Sequence, residues 1–301
     1  MIAYLKHNEI DKKKWNTCIL ASANAKVYVL AEYLDIVSPG WSALVENDYE
    51  AVFPVITASK FFINYMYQPP FTKFFDVYTP GINIDTESWE KALHKPFRKV
   101  PLASVHIDSP LVSSSSNYSN TLSIQELNLS SNYNETAAKY TKNVQKNLKK
   151  ASKHVLLLDE NTSLHDFVTL KRKNYRHQVS KLHLDMLVNI LGDTHPWKSN
   201  IVGIKNDHEE YILISTSVIF KDRLYFISSG ATAEARNKKA KFVMYDHIIR
   251  KYSGANFTID FMGSNIPNVA YFNHSFGAVD KKFFHIEKKG WLAKLKKLSG
   301  K

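Results

Sequence analysis

Among the residues between Thr258 and Gly277 stand the carboxylate of Asp260, the hydroxyl of Ser264 and the side-chain amides of Asn265 and Asn273. Transfer of an acyl group to an amine needs a group that takes the amine proton and donors that hold the carbonyl oxygen. Asp260, inside the apolar run Phe257 to Phe261, suits the first task, and Ser264 and Asn273 suit the second as neutral donors. Asn265 and the Tyr225 hydroxyl are candidates for contact with substrate. Each has a structural alternative. An Asp before Gly263-Ser-Asn265 also suits a side-chain cap on a tight turn, and a tyrosine at strand spacing also suits a core. The cluster Lys171-Arg-Lys173 with Tyr175 and Arg176 makes a basic face on one helix. Arg172, Tyr175 and Arg176 there either receive an anionic substrate or form a solvated surface.

Other chemistries find little footing. His177, His183 and His195 fall in no metal-ligand spacing, so no metal site is expected. The chain has no Gly-x-Ser-x-Gly elbow, no Gly-x-x-x-x-Gly-Lys loop and no dinucleotide fingerprint. Lys plus Arg number 40 against 28 Asp plus Glu, a formal net charge of +12 that favours anionic partners such as phosphates, nucleic acid or an acidic membrane surface. Cys18 is the single cysteine and forms no internal disulfide. Charges interrupt the first fifteen residues and no apolar run reaches spanning length, so a cytoplasmic protein without a transmembrane segment is expected.

The elements that must position these residues follow from periodicity. Spacings of three and four predict helices over 11–22 and 27–37, ended by Pro39-Gly40. Short apolar runs predict strands at 41–45, 51–57, 61–67, 103–107 and 121–127, with a helix over 87–97. After the polar stretch 130–135, Asn134 is expected to cap a helix to Lys153 whose apolar stripe is Tyr140, Val144, Leu148 and Ala151. A strand at 155–158, helices at 164–177 and 182–191, and strands at 201–204, 211–220 and 224–228 come next, the last two joined as a hairpin. A helix over 238–252, a strand at 257–261, a short helix at 268–276 and a strand at 282–286 complete the order.

Three segments carry a family resemblance: Tyr67-Gln-Pro-Pro-Phe-Thr72, the basic helix Tyr140-Thr-Lys-Asn-Val-Gln-Lys-Asn-Leu-Lys-Lys-Ala151, and Asp260-Phe-Met-Gly-Ser264 followed by Phe272-Asn-His-Ser-Phe-Gly277. With them the chain resembles the Fem-type aminoacyl and acyl transferases, which carry two GNAT-like domains in tandem. The resemblance implies an α/β (α+β) fold of two tandem GNAT-like domains, each a mixed, mostly antiparallel sheet flanked by helices. The polar break at 130–135 divides the chain into 1–133 and 134–287, and the residues 288–301 read as a basic amphipathic tail that either docks on the protein or touches a membrane surface. The resemblance also implies substrate contact at Gln68.

In Fem ligases the short helix usually reads Phe-Lys-x-x-Phe-Gly, with the lysine stabilising charge at the reacting carbonyl. Here Asn273 holds that place and brings a hydrogen bond without a charge. The phosphate turn of GNAT enzymes corresponds to Ser229-Gly-Ala-Thr-Ala-Glu-Ala-Arg-Asn-Lys-Lys239, which has one glycine. Gly230, Arg236, Lys238 and Lys239 are its candidates for cofactor contact, against the alternative of a solvated helix start. The expected function is transfer of an acyl or aminoacyl group, from acyl-CoA or aminoacyl-tRNA as co-substrate and with no permanently bound cofactor, to an amine of an anionic acceptor such as a small molecule or cell-wall precursor. Two other classes stay open: a non-catalytic GNAT-fold protein that binds an anionic ligand, and an RNA-binding protein that uses the Lys142 to Lys153 face.

Overall fold

The computed structural model describes residues 1–81, 84–108, 119–174, 180–263 and 265–288. Ser264, Tyr175, Arg176 and the tail from 289 lie outside the described residues. The chain divides into two compact units, one formed by Met1–Leu122 together with the segment from Lys282, the other by Ser123–Lys281. The division falls within the strand expected at 121–127, between Leu122 and Ser123. That strand's residues from Glu126 to Asn128 pair inside the second unit, and the polar stretch read as a break is the turn that follows it.

The first unit opens with β1 (Ile2–Leu5), α1 (Lys12–Ala21) and α2 (Ala31–Val37). Strands β2 (Ser42–Glu46) and β3 (Ala51–Val55) pair antiparallel, and β1 joins the free edge of β2. Then come β4 (Thr57–Lys60), β5 (Ile63–Tyr67), α3 (Thr86–Lys99) and β6 (Leu102–Ile107). β5 and β6 run parallel, as a helical crossover such as α3 requires. The aromatic composition reappears as a core of Trp15, Trp41, Trp89, Tyr28, Tyr33, Phe74 and Phe75, each at most 2% exposed. The indoles that would be stranded there find acceptors: Trp15 Nε1 donates to the Val29 carbonyl at 2.8 Å and Trp89 Nε1 to Glu46 Oε2 at 2.8 Å.

β4 and β5 are joined by Phe61 and Phe62 alone, since Lys60 already pairs with Ile63. Both residues have positive φ, 51° and 62°, and both rings are in solvent, 83% and 103% exposed. A two-residue hairpin loop of this geometry relaxes with Asn-Gly, whereas a left-handed residue with a Cβ costs about 1–2 kcal/mol. The double substitution Phe61→Asn, Phe62→Gly is therefore expected to stabilise the protein by about 1–3 kcal/mol, seen as a higher urea midpoint at unchanged slope. A midpoint that stayed still would show that the turn stores no strain.

The second unit begins in β7 (Ser119–Asn128) and continues through α4 (Tyr133–Ala138) and α5 (Lys142–Ala151). The single helix expected from Asn134 is broken here. Asn132 is the cap that accepts the Glu135 N–H at 3.0 Å, and at Thr141 the backbone turns extended and gives its N–H to the Ser275 carbonyl. The stripe itself holds, with Tyr140, Val144 and Ala151 buried and the lysines outside. Next are β8 (Leu157–Asp159), α6 (Leu164–Asn174), α7 (Lys181–Ile190), β9 (Lys198–Lys205), β10 (Tyr211–Phe220) and β11 (Arg223–Ala231). The helix expected over 238–252 is α9 (Ala240–Tyr252), and a further short helix, α8 (Ala233–Asn237), precedes it, the two divided where Lys239 takes φ 61°. β12 (Thr258–Asp260), α10 (Pro267–Ser275) and β13 (Val279–Lys288) follow, the last crossing back into the first unit to pair with β6.

Within the second unit the strand order is β7-β12-β11-β10-β9-β8. All pairs are antiparallel except β11 with β12, which a helical connection joins. The core on one face includes Leu127, Leu213, Leu224, Phe226, Met244, Tyr245, Ile248, Ile259 and Phe276. Among the described residues no helix is long and apolar enough to cross a membrane.

Candidate functional site

The irregular place in the second sheet is β11. It pairs with β10 from Arg223 to Ala231, with a register shift opposite Thr216 and Ser217 that leaves Ile227 without a counterpart. Its other neighbour, β12, pairs only from Arg223 to Tyr225 and ends at Asp260. From Phe226 to Ala231 the second edge of β11 thus has no strand partner among the described residues. A bulge beside a departing strand re-aims side chains and leaves backbone donors and acceptors for something else.

Register places Glu126, Asp260 and Tyr225 in one row across β7, β12 and β11. Arg223 Nη1 lies 2.7 Å from Glu126 Oε1 and 3.9 Å from Asp260 Oδ2. Asp260 is fully buried, and its Oδ1 accepts the Met262 N–H at 2.8 Å. Its position therefore fits the structural alternative: the carboxylate holds the turn after β12, in which Met262 has φ 49°, and shares an arginine. Tyr225 is likewise fully buried.

Asn273 is 1% exposed and its amide donates to Gln125 Oε1 at 3.2 Å. Gln125 in turn donates to Asp280 Oδ1 at 2.9 Å, and His274 Nε2 stands 3.0 Å from the same oxygen. The Gln125 hydrogen bond, helped by His274, holds the Asp280 carboxyl below its ordinary value. Successive residues of a strand face opposite ways, so Gln125 and Glu126 look out of opposite faces of β7. Asn273 goes with the first and Asp260 with the second. Each is thereby engaged at a different residue of β7, Asn273 at Gln125 and Asp260 beside the Glu126–Arg223 ion pair.

Lysines approach β11 from two helices. Lys171 of α6, expected on an open basic face, is instead buried. Its Nζ donates to Ser228 Oγ at 2.7 Å and to the Ser229 carbonyl at 3.0 Å, and burial pushes its pKa down from 10.5. Arg172 next to it is exposed. Gly230 brings the two elements close, because a Cβ there would lie 3.7 Å from the Lys171 Cα.

In the first turn of α9, the Lys241 Nζ sits 4.6 Å from the Phe272 ring centroid and 5.2 Å from that of Tyr245. Burial lowers its pKa too, and no carboxylate lies within ion-pair distance among the described residues. Tyr245 stacks on Phe226 and on Phe261, at 4.9 and 5.5 Å, so one ring separates Lys241 from the unpaired edge. Nothing in the periodicity of 238–252 singles out Lys241. The i,i+4 pair with Tyr245 was visible, but the second ring comes from α10.

The remaining candidates divide. Lys238 is held by Glu234 and Asp207 at 2.8 and 3.2 Å, while Arg236 is exposed and Lys239 half-buried. The backbone donors of α8 are used locally, Ala235 N–H by Thr232 Oγ1 at 3.1 Å and Lys238 N–H by the Glu234 carbonyl at 2.8 Å. Asn265 is exposed, with its Oδ1 3.2 Å from the Ser123 N–H. Gln68 belongs to the first unit, where it braces the His106 N–H at 2.9 Å and Thr72 Oγ1 at 2.7 Å. Among the described residues no three His, Cys, Asp or Glu come together to hold a metal.

No family model and no curated protein matches the sequence. Solved structures do match in fold. FemX superposes with a TM-score of 0.62 over 98% of this chain and 100% of that one, at 10% identity. The C-terminal domain of a putative lysylphosphatidylglycerol synthetase from Agrobacterium fabrum gives 0.58 over 96% and 94%, at 10% identity. L-PGS from Bacillus licheniformis gives 0.54 over 93% and 92%, at 9% identity. With its two sheet-and-helix units and its parting parallel strands, the chain has the Fem-like, GNAT-type acyltransferase fold.

Proposed function

We propose that the chain is an acyltransferase that moves an acyl or aminoacyl group to an amine of an anionic acceptor, with the donor lying along the unpaired edge of β11. The observation that carries this reading is that edge, Phe226 to Ala231, with Lys241 and the start of α9 beside it. An extended donor can pair with the backbone groups of that edge other than the Ser229 carbonyl, which already accepts from Lys171, as a further strand would. Its phosphates, present in acyl-CoA and in aminoacyl-tRNA alike, meet Lys241 and Lys239, with Arg236 in reach of solvent. The acceptor's anionic group falls to Arg172, and to Tyr175 and Arg176 beyond it. The acceptor nitrogen attacks the donor carbonyl carbon, the C–S or C–O bond breaks, and the thiol or hydroxyl leaves with a proton as the amide forms. Asp260 serves by holding the turn after β12.

The test is a donor panel of acyl-CoAs and aminoacyl-tRNAs, offered with amine-bearing anionic acceptors and followed by mass spectrometry of the product. Transfer by the purified chain is expected. A chain that neither binds nor consumes any donor would remove this reading. The burial of Asp260 and Asn273 favours a second one, a binding protein that keeps the groove without the reaction. Donor binding with no product from any acceptor would select it.

A further inference from the structure

The tip of the β4–β5 hairpin places two phenylalanine rings side by side in water, on backbone that favours neither. Lys60 precedes them, its ammonium 5.6 Å from the Phe61 ring centroid. Beside the hairpin runs a groove of about 480 Å³, bounded by Ala58, Ser59 and Asn64 on one side and by Lys95, Pro96 and Lys99 of α3 on the other. Ser59 and Asn64 form the strand pair just before Lys60 and Ile63, so the groove reaches almost to the tip. The Lys99 ammonium lies 6.0 Å from the Tyr4 ring centroid. None of Lys60, Lys95 and Lys99 makes an ion pair among the described residues, although α3 ties Lys91 to Glu87.

We infer that this hairpin docks the first unit on an anionic lipid bilayer, with Phe61 and Phe62 in the interface and Lys60, Lys95 and Lys99 at the headgroups. The chemistry divides the work as at a membrane surface. Aromatic rings are stable at the boundary between headgroups and acyl chains, and unpaired lysines are drawn to anionic headgroups. A β-turn satisfies its own backbone as it enters, which an irregular loop would not. Charge selects this occupant over a second protein chain, because three unneutralised cations around an apolar tip fit a sheet of anions. The inference stands apart from the donor edge of β11 and does not depend on any transferase activity.

The test uses the full chain and sedimentation with vesicles of phosphatidylcholine containing about a third phosphatidylglycerol, against vesicles of phosphatidylcholine alone. Binding to the first and little to the second is expected. The variant Phe61→Ser, Phe62→Ser should reduce it by about 10-fold or more. Both rings lie outside the core, so folding should persist, as circular dichroism can check. Charge reversal at Lys60, Lys95 and Lys99 should weaken binding by at least about tenfold while leaving the tip intact. A Phe62→Trp reporter should shift its fluorescence to the blue on anionic vesicles only. Vesicle binding that survived the double serine change, or that ignored lipid charge, would overturn the assignment. So would a wild-type chain that ignores vesicles but elutes as a dimer that the serine changes dissociate, which would make the tip a contact between copies.

Discussion

Replacing Lys241 with methionine is expected to weaken donor binding about 10- to 100-fold while leaving the protein at least as stable as before. The first half follows from what a charge-assisted contact contributes, about 1.5–3 kcal/mol. The second follows from the surroundings of the ammonium: two aromatic rings, no carboxylate and a pKa lowered by burial. Methionine keeps the apolar stem against Tyr245 and Phe272 and removes a charge that folding had to desolvate. A residue present only for packing would show neither effect.

The pH dependence carries the same signature. With a folded-state pKa below the 10.5 of a free lysine, the folded protein holds fewer protons than the unfolded chain between the two values. Stability therefore rises with pH across that window, while donor affinity falls as the ammonium is lost. In the methionine variant the Lys241 share of both trends should vanish. Titration calorimetry with a donor and urea unfolding, each against pH, measure the two halves. If Lys241→Met bound donors as wild type does, the proposed position of the donor phosphates would be wrong.

Replacing Arg223 with leucine is expected to cost about 3 kcal/mol or more of stability. Its guanidinium lies against Glu126 and near Asp260, and Asp260 is fully buried. Removing one partner of a buried ion pair leaves the other charge in a medium that solvates it poorly, a loss of about 3–5 kcal/mol in such cases. Glu126 and Arg223 keep about a fifth of their side-chain surface exposed, 18% and 21%, so the lower end applies. Adding Glu126→Gln should restore part of the loss, because one stranded carboxylate is then gone. Urea midpoints of the two single changes and the double change decide it. Additive losses would mean that Arg223 and Glu126 act independently.

Much of the fold was legible before any coordinates. Apolar residues located α1, α6, α7, β10 and α10 to within about three residues, because the helices each bury one face at a period their own residues declare and β10, buried on both faces, reads as a continuous apolar run. The breaks were less legible. At Thr141 the chain leaves the helix to donate to Ser275, and at Lys239 it takes a left-handed turn. In neither place is there a glycine or proline to announce the change. β1 went unseen because four exposed or half-exposed residues carry no pattern until they pair with β2.

The candidate site shows the same division. Composition and short motifs brought Asp260, Asn273, Tyr225 and the lysines forward, since residue type alone says what a side chain can donate or accept. Their company was decided by pairing. Register puts Asp260 beside Glu126 and sends Asn273 to Gln125 on the other face, and burial turns both toward structural partners. Lys171 left its basic stripe for Ser228, and Lys241 became notable only when α10 brought Phe272 over it. By itself the sequence determined the order of elements and the stock of chemical groups, both local properties. Which groups meet, which are buried and which strand edge stays open depend on contacts between residues far apart in the chain, from a few tens of positions for Lys241 and Phe272 to well over a hundred for Gln125 and Asn273, and those only the tertiary structure decided.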